Sequence, residues 1–182
     1  LLFTLCLSIK EWNNWWQNRK INWVDHYLKS WDHPHRKMIT MVLDQLYWKS
    51  LIEIGVGAGA NLVNILKHLK DKQVGGIDIN PDAIETAKKA IPNAFLKVGR
   101  VEDIPMSDDA SDVVLTDMTL IYQSPRKIVQ ALKEIRRIGR NYVVFCEFHH
   151  ESWWQRFKLR WTKGYYAYDY KKLLSKADFY DI

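Results

Sequence analysis

A turn that runs from an apolar strand through three glycines into a helix is the feature that most constrains this chain. The stretch LIEIGVGAGANL, residues 51–62, is apolar with one acid up to Ile54, then carries Gly55, Gly57 and Gly59 and continues with helical spacing. Glycines in such a turn let backbone N–H groups and the helix N-terminus come close to a ligand. The turn therefore predicts an α/β fold that binds a nucleotide-like molecule.

The glycine spacing fits two kinds of ligand. Gly55, Gly57 and Ala60 satisfy the dinucleotide pattern G-x-G-x-x-G/A, and Gly55, Gly57 and Gly59 also form G-x-G-x-G. Asp78 closes the next predicted strand, where an acid can accept hydrogen bonds from two ribose hydroxyls in either case. The turn alone thus indicates an adenosine-containing ligand and leaves its identity open.

Glu53, inside the first strand, favours one of these ligands. A pyrophosphate gains nothing from a neighbouring carboxylate, whereas a sulfonium cofactor with a cationic amino group tolerates one. Further along, strand-like and helix-like stretches alternate, which predicts a Rossmann-like, doubly wound and mostly parallel sheet. The predicted strands are 50–55, 73–79, 93–99, 111–118 and 141–148, with a sixth beginning at 178, and the predicted helices are 59–71, 80–90, 124–139 and 169–177.

The chain outside this alternating region is expected to form two additions to one domain. Residues 1–44 are aromatic-rich and predicted to be a helical cap, and residues 45–182 are predicted to be the ligand-binding domain. Within that domain, residues 149–167 are too long for a simple connection and indicate an aromatic, basic insertion. The net charge of +6 lies in the two flanks, because residues 50–150 carry thirteen cations and thirteen acids. This charge distribution predicts a neutral core with basic flanking surfaces.

Several motifs together resemble class I S-adenosylmethionine-dependent methyltransferases of the small-molecule type. Residues 51–59 match that family's first motif, h-h-D/E-h-G-x-G-x-G, and residues 120–138 are similar to the segment that contains the helix before its fifth strand. The family's segments G-x-A-E-x-L-P-F and S-F-D-x-V are followed at Gly99, Glu102, Ile104, Pro105 and Met106, and at Ser111, Asp112 and Val114. The resemblance covers residues 45–148 and 168–182, and implies that S-adenosylmethionine is the cofactor.

The resemblance also implies roles for particular residues. Glu53 would order the glycine loop and receive the methionine amino end, Asp78 would hold the ribose, and Ile79 would pack on the adenine. The full implied cofactor set is Glu53, Gly55, Gly57, Gly59, Asp78, Ile79, Val101, Glu102 and Thr116. Arg100 departs from the family, which often has an acid there; because Arg cannot accept a hydrogen bond, adenine recognition would use Glu102, Asp103 or backbone groups.

Methyl transfer from a sulfonium is a direct displacement, so the protein chiefly aligns the reactants and excludes water. A base is needed only where the acceptor loses a proton. The candidates are Asp117, Tyr122 and His149, with His33 and His35 reaching over from the cap. No metal site is expected, because the two cysteines show no metal-ligand spacing.

The aromatic flanks indicate where an acceptor binds. The cap and the insertion are both expected to cover the cofactor mouth while touching the cofactor little. Their rings either pack the cap onto the core or form a small-molecule pocket, with Trp31 and Trp153 as test positions. The segment WWQRFKLRWTK alternates rings with cations, which would also suit RNA or an anionic membrane. Nucleic acid is not favoured, because no recognised RNA module accompanies it. An RNA or protein methyltransferase, and a non-catalytic S-adenosylmethionine-binding scaffold, stay open as alternatives.

The remaining expectations concern location and assembly. Leu1–Ile9 is too short to span a bilayer and lacks the flanks of a signal peptide, and Cys6 and Cys146 fit a reducing cytoplasm. The family's sheet ends with a further antiparallel strand, which this sequence lacks. The exposed sheet edge is expected to be covered by chain outside this sequence, which starts at Leu, or by a partner such as a second copy in a homodimer.

Overall fold

A single parallel sheet organises the protein. The computed structural model describes residues 9–179, and their side chains from Trp12 onward. Five strands pair in the order β3-β2-β1-β4-β5, all in parallel: β1 Ser50–Ile54, β2 Gln73–Asp78, β3 Phe95–Val98, β4 Ser111–Asp117 and β5 Gly139–Cys146. The order reverses at β1 and β4, so this is the predicted doubly wound, Rossmann-like sheet.

Helices precede the sheet and cover both of its faces. They are α1 Ile9–Gln17, α2 Trp23–His26, α3 Pro34–Asp44, α4 Ala60–His68, α5 Pro81–Ala90, α6 Ile128–Ile138, α7 Trp153–Lys163 and α8 Tyr170–Lys176, with 3₁₀ turns at Leu28–Ser30 and Leu120–Tyr122. The cap of α5 is as predicted: the Asn80 side chain accepts from the N–H groups of Asp82 and Ala83, and Pro81 occupies the first helical position.

The central strands β1, β2 and β4 are buried on both faces, as strands of parallel sheets are, whereas the edge strands β3 and β5 are partly exposed. Leu51 of β1 packs with residues of α3, α4 and α5, and Ile52 packs on the other face with α6 and α8. Both side chains are at most 5% exposed, and burial of each contributes about 1.5–3 kcal/mol to stability. These layers fix the carboxyl ends of β1, β2 and β4 next to one another, where the site lies.

Three predicted elements differ from the structure or lie outside it. The helix predicted from Ser124 begins only at Ile128, because residues 125–127 form a separate turn in which the Ser124 carbonyl accepts from the N–H groups of Lys127 and Ile128. The insertion is mostly a helix, α7. The sixth strand predicted from 178 falls largely on residues outside the described part.

The end of the sheet at β5 agrees with the expected open edge. Across residues 9–179, β4 is the strand that pairs with β5 and none pairs with its other edge. The covering of this edge by a second copy stays a prediction, as does the division at residue 44. In the same part of the chain, no helix has the length and apolar character needed to cross a membrane.

Candidate functional site

The turn after β1 adopts a conformation that glycine favours. Gly55 and Gly57 have φ of +77° and +53°, in the left-handed region. The N–H of Gly55 donates to the Ile77 carbonyl at 2.7 Å and ties the turn to the end of β2. A Cβ on Gly55 would lie 1.9 Å from Oγ1 of Thr119, whereas a Cβ on Gly57 would meet no atom within 4 Å. The turn is therefore packed at Gly55 and open at Gly57.

Gly55→Ala and Gly57→Ala should consequently differ in stability. Both place a Cβ on left-handed backbone, which costs roughly 1–2 kcal/mol. Only Gly55→Ala also collides with Thr119, so we expect its melting temperature to lie roughly 5 °C or more below that of Gly57→Ala. Thermal unfolding of the two variants checks this. Equal melting temperatures would show that Thr119 moves aside without cost and does not constrain the turn.

Asp78 lies beside the open part of the turn with hydrogen-bonding capacity to spare. Its Oδ2 accepts from the N–H of Gly57 at 2.9 Å, and its Oδ1 accepts from the N–H of Asn80 at 2.8 Å. Burial raises the pKa of Asp78, and these backbone hydrogen bonds counteract part of that effect. Each carboxylate oxygen keeps a second acceptor site. The carboxylate is thus oriented to accept from two further donors.

A cavity of about 340 Å³ opens at this point. Its volume is within the range of small-molecule sites, about 300–1,000 Å³, and its position at the carboxyl ends of the strands is where open α/β sheets bind ligands. From the sheet and its loops it is lined by residues 54–58, Ala60, residues 77–79 and 99–102, residues 117–119, Tyr122 and Gln123.

The N-terminal arm supplies the opposite wall of the same cavity. Its lining side chains are Asn13, Trp16, Trp23, Tyr27, His35 and Arg36. The arm is held on α5, because Asn80 Nδ2 donates to the carbonyls of Trp16 and Arg19 at 2.6 and 3.0 Å, and Lys20 pairs with Asp82 at 2.5 Å. This corrects the expectation that the cap touches the cofactor region little, since α1 and α2 fold back over the glycine turn.

A polar cluster closes one end of the cavity. Asn61 of α4 donates through Nδ2 to Oε1 of Glu53 at 2.6 Å and to Oδ2 of Asp117 at 3.0 Å. Its Oδ1 accepts from the Arg36 guanidinium at 2.7 Å, and His35 Nε2 lies 2.8 Å from the other oxygen of Asp117. A cation and a carboxylate of the cluster, Arg36 and Asp117, both border the cavity. This end therefore suits a ligand that carries both charges.

Glu53 lies behind this cluster and does not line the cavity. Its side chain is buried, and within the described residues its Oε2 has no hydrogen-bond partner. Burial raises the pKa of Glu53 to about 8; the Asn61 hydrogen bond and Arg36 lower it, while Asp117 raises it further. The carboxyl is therefore largely protonated at neutral pH in the ligand-free protein.

Glu102 occupies a different corner, next to Arg100. Its Oε1 accepts from Lys127 at 2.6 Å, from Arg100 at 3.2 Å and from Asn13 of the cap at 3.5 Å. Burial raises the pKa of Glu102, but these donors outweigh burial and the pKa is lowered. The acid therefore stays ionised. Asp103, the other predicted acceptor for adenine, is exposed and outside the cavity.

Tyr122 borders the cavity from within an aromatic cluster. Its ring centroid is 5.1 Å from those of Trp12 and Trp16 and 5.7 Å from that of Tyr165. Burial raises the pKa of Tyr122 well above its usual value. The phenol therefore keeps its proton, so that it can donate a hydrogen bond to a ligand but cannot serve as a base at neutral pH.

The structure brings together most of the predicted site residues. Those that line the cavity are Gly55, Gly57, Asp78, Ile79, Val101, Glu102, Asp117 and Tyr122. Gly59 instead is the N-cap of α4, and a Cβ added to it would lie 3.1 Å from Cδ1 of Ile91 and 3.4 Å from Cβ of Ala87. Thr116 is fully buried beside the Glu147 carboxyl, inside the core.

His149 and the insertion do not line the cavity. His149 is exposed, and its Nδ1 accepts from the N–H of Tyr170 at 3.2 Å, because residues 148–150 pair with the backbone of Tyr168. Trp153 is 68% exposed, and Trp31 packs under the Lys67 ammonium instead. Of the two segments expected to form a pocket, the structure places only the N-terminal arm at the cavity.

Sequence reasoning missed Arg36, Asn61 and Asn13. The signal for Asn61 was its position in the first turn of α4, directly after the glycine turn. Arg36 follows His35, which was considered only as a base. Nothing in the spacing of Asn13 indicated its contact with Glu102, since the two residues are 89 positions apart.

One group of side chains has the composition of a metal site. Ligand atoms of His35, Asp117 and Cys146 all lie within 4.8 Å of one another. Asp117 already forms a close hydrogen bond with His35, and burial raises the pKa of the Cys146 thiol to about 11. The Sγ of Cys146 lies 3.9 Å from the same His35 nitrogen, so the three side chains form a hydrogen-bonding cluster, and the expectation of no metal site stays a prediction.

Comparison with known proteins agrees with this geometry. The family described as Methyltransferase domain matches residues 51–141, from β1 into β5. A methyltransferase chain solved with the Trm112 methyltransferase activator of Haloferax volcanii has a TM-score of 0.67 and 19% identity, with 92% of this chain and 75% of that chain covered. A SAM-dependent methyltransferase from Thermotoga maritima has a TM-score of 0.61 and 22% identity, with coverage of 95% and 78%.

Two curated relatives match more weakly. A 2-methyl-6-phytyl-1,4-hydroquinone methyltransferase of Oryza sativa is 24% identical over 144 residues, which are 76% of this chain and 44% of that protein. An uncharacterized methyltransferase of Schizosaccharomyces pombe is 24% identical over 140 residues, 69% of this chain and 49% of that protein. The chain thus spans about half the length of the curated relatives it matches.

The sheet order, the glycine turn and the acid at the end of β2 define the Rossmann-like fold of class I S-adenosylmethionine-dependent methyltransferases. With the family match over residues 51–141, the chain belongs to the methyltransferase domain family.

Proposed function

We propose that the protein transfers a methyl group from S-adenosylmethionine to a small-molecule acceptor held in the same cavity. One observation carries the proposal. The glycine turn, the Asp78 carboxylate, the charged end at Arg36 and Asp117, and the aromatic wall of the cap all line one cavity. A dinucleotide site has no need of that charged end.

The residues present fit the proposed cofactor. Asp78 has acceptor capacity for two ribose hydroxyls, and Gly57 leaves open space beside it. At the charged end, Arg36 would receive the methionine carboxylate, and Asp117 the ammonium group. Ile79 and Val101 offer apolar contact for the adenine, while the ionised Glu102 lies at its edge. When bound, the cofactor supplies an electrophilic methyl group on a sulfonium.

The protein's own residues would position the acceptor and manage its proton. Trp16, Trp23 and Tyr27 form an aromatic wall that excludes water and suits a planar acceptor. The His35–Asp117 pair, with 2.8 Å between Nε2 and Oδ1, is the proton acceptor we propose where the nucleophile must lose a proton. Tyr122 would donate a hydrogen bond. The rice relative, whose name specifies a hydroquinone, agrees with an aromatic acceptor.

A small acceptor is favoured over RNA or protein because the cap covers the cavity. The Haloferax relative was solved with a methyltransferase activator, and a macromolecular acceptor is the alternative. A cytoplasmic location is part of the proposal, supported by the free thiol of Cys146.

S-adenosylhomocysteine should bind with micromolar affinity or better, and NAD should not bind. The reason is that the charged end pairs one cation, Arg36, with one acid, Asp117, and so complements an amino acid zwitterion. Over the whole cavity two cations, Arg36 and Arg100, stand against three acids, Asp78, Glu102 and Asp117, which disfavours a pyrophosphate. Titration calorimetry with both ligands checks this. Binding of NAD without a response to S-adenosylhomocysteine would contradict the cofactor assignment.

The acceptor is then tested with S-adenosylmethionine that carries a labelled methyl group. The label transferred to a metabolite and lipid extract is compared with the label transferred to total RNA and to total protein. Label in small molecules supports the proposal, and label in RNA or protein supports the alternative. Binding without transfer to any fraction would indicate a scaffold.

A further inference from the structure

Helix α7 carries an aromatic ridge that the proposed reaction does not use. At 100° per residue, Trp153, Trp154, Phe157 and Trp161 fall within an arc of about 100° on one face. Their exposures are 68%, 57%, 51% and 68%. Ring centroids of successive members are 5.5, 5.8 and 6.2 Å apart. The four rings therefore form one continuous apolar surface in contact with solvent.

The helix that carries this ridge is strongly cationic. Residues 153–163 contain four Lys and Arg and no acid. Lys158 and Lys163 are exposed, and Lys158 lies beside the ridge on the helix surface. Arg156 is half-buried and donates to the carbonyls of His150 and Glu151, just before the helix, at 2.8 and 2.7 Å. These bonds fasten the start of α7 to the segment that leads into it, and the aromatic ridge stays in solvent.

The helix is anchored close to the cavity. Tyr165, just after α7, contacts Tyr122 and Trp12 at 5.7 and 6.4 Å between ring centroids. The N–H of Tyr166 donates to the Ile121 carbonyl at 2.8 Å. Tyr122 lines the cavity. A surface bound by α7 would therefore lie on the side of the molecule where the cap meets the loop after β4.

We propose that α7 docks the protein on the surface of an anionic lipid bilayer. Exposed Trp and Phe on one face, with Lys and Arg around them, are the composition that lies at the headgroup boundary. The two exposed cations, Lys158 and Lys163, complement a negatively charged leaflet. The rings stack on one another, with interplanar angles of 21° and 19° for the last two pairs. Such a row presents one continuous apolar surface that can enter the headgroup boundary as a unit, and RNA binding through separate stacked bases is the alternative that the test below distinguishes.

Flotation of the protein with vesicles tests the proposal. We expect binding to vesicles of phosphatidylcholine with 30% phosphatidylglycerol, loss of binding at high salt, and little binding to phosphatidylcholine alone. The double variant Trp154→Gln/Trp161→Gln should reduce the partition coefficient at least tenfold. Lys158→Glu/Lys163→Glu should reduce it on anionic vesicles by about fivefold for each cation removed.

Tyr47→Gln is the matched control, since Tyr47 is an aromatic residue outside α7 that is 83% exposed. Melting temperatures of all variants should stay near that of the wild type, because every altered side chain is exposed. Absence of vesicle binding, or equal loss in Tyr47→Gln, would overturn the proposal. The proposal would also be overturned if the wild type formed a dimer in sedimentation, or bound a single-stranded RNA, and the Trp154→Gln/Trp161→Gln variant did not. S-adenosylhomocysteine binding, measured separately, reports on the proposed function and should be unchanged in these variants.

Discussion

Asp78→Ala should weaken S-adenosylhomocysteine binding by roughly 10²–10⁴-fold. The Asp78 carboxylate is the acceptor at the end of β2, and each of two charge-assisted hydrogen bonds to a ribose is worth about 1.5–3 kcal/mol. Its backbone partners, Gly57 and Asn80, also lose an acceptor, which loosens the glycine turn. Titration calorimetry gives the affinity, and thermal unfolding reports any change in the fold.

Asp82→Ala is the matched control for this variant. Asp82 is an acid four residues further on, in the first turn of α5, where a negative charge contributes about 0.3–1 kcal/mol. Its salt bridge to Lys20 is exposed and contributes little, and Asn80 still holds the arm through the carbonyls of Trp16 and Arg19. We expect affinity within about fivefold of the wild type. Equal losses in the two variants would mean that the end of β2 is not the ribose site.

Glu53→Gln should remove a large part of the pH dependence of stability. In the folded protein burial raises the pKa of Glu53 to about 8, from 4.5. Between these values the folded state holds a proton that the unfolded state has released, so the free energy of unfolding falls as pH rises. The slope is about 1.4 kcal/mol per pH unit, which makes the effect several kcal/mol. Gln mimics the protonated acid and still accepts from Asn61.

Urea unfolding between pH 5.5 and 8.5 measures this difference. The free energy of unfolding of Glu53→Gln should rise relative to that of the wild type up to about pH 8, and the difference should then stay constant. Burial raises the pKa of Glu147 to about 7. Glu147 therefore also makes the free energy of unfolding fall with rising pH, in both proteins alike, but only up to that pH. Glu85→Gln, an exposed glutamate beside Lys88, is the control and should follow the wild type. Parallel wild-type and Glu53→Gln curves would show that Glu53 is ionised in the folded state.

The local part of the site could be predicted because its residues are neighbours in sequence. Glycine conformation at 55 and 57, the Asn80 cap and the acid at the end of β2 depend on backbone geometry and on a periodicity that a short stretch displays. The alternation of strands and helices likewise determined the doubly wound sheet and its parallel pairing.

Only the tertiary structure decided which flank meets the ligand. The N-terminal arm and the insertion are both aromatic and basic, and no local rule distinguishes them. The arm lines the cavity because Asn80, Asp82 and Glu102 hold it over the glycine turn. The insertion instead forms α7, which attaches through Tyr165 and Tyr166 and leaves its rings in solvent.

The same contrast holds for the charged end of the cavity. The sequence by itself determined that Glu53 lies on a buried strand and Asp117 at the end of another. The contact of both with Asn61, and through it with Arg36, depends on how α3 and α4 pack against the sheet. Burial and long-range hydrogen bonds set the pKa of Glu53, and pairwise contacts between distant segments cannot be read from spacing along the chain.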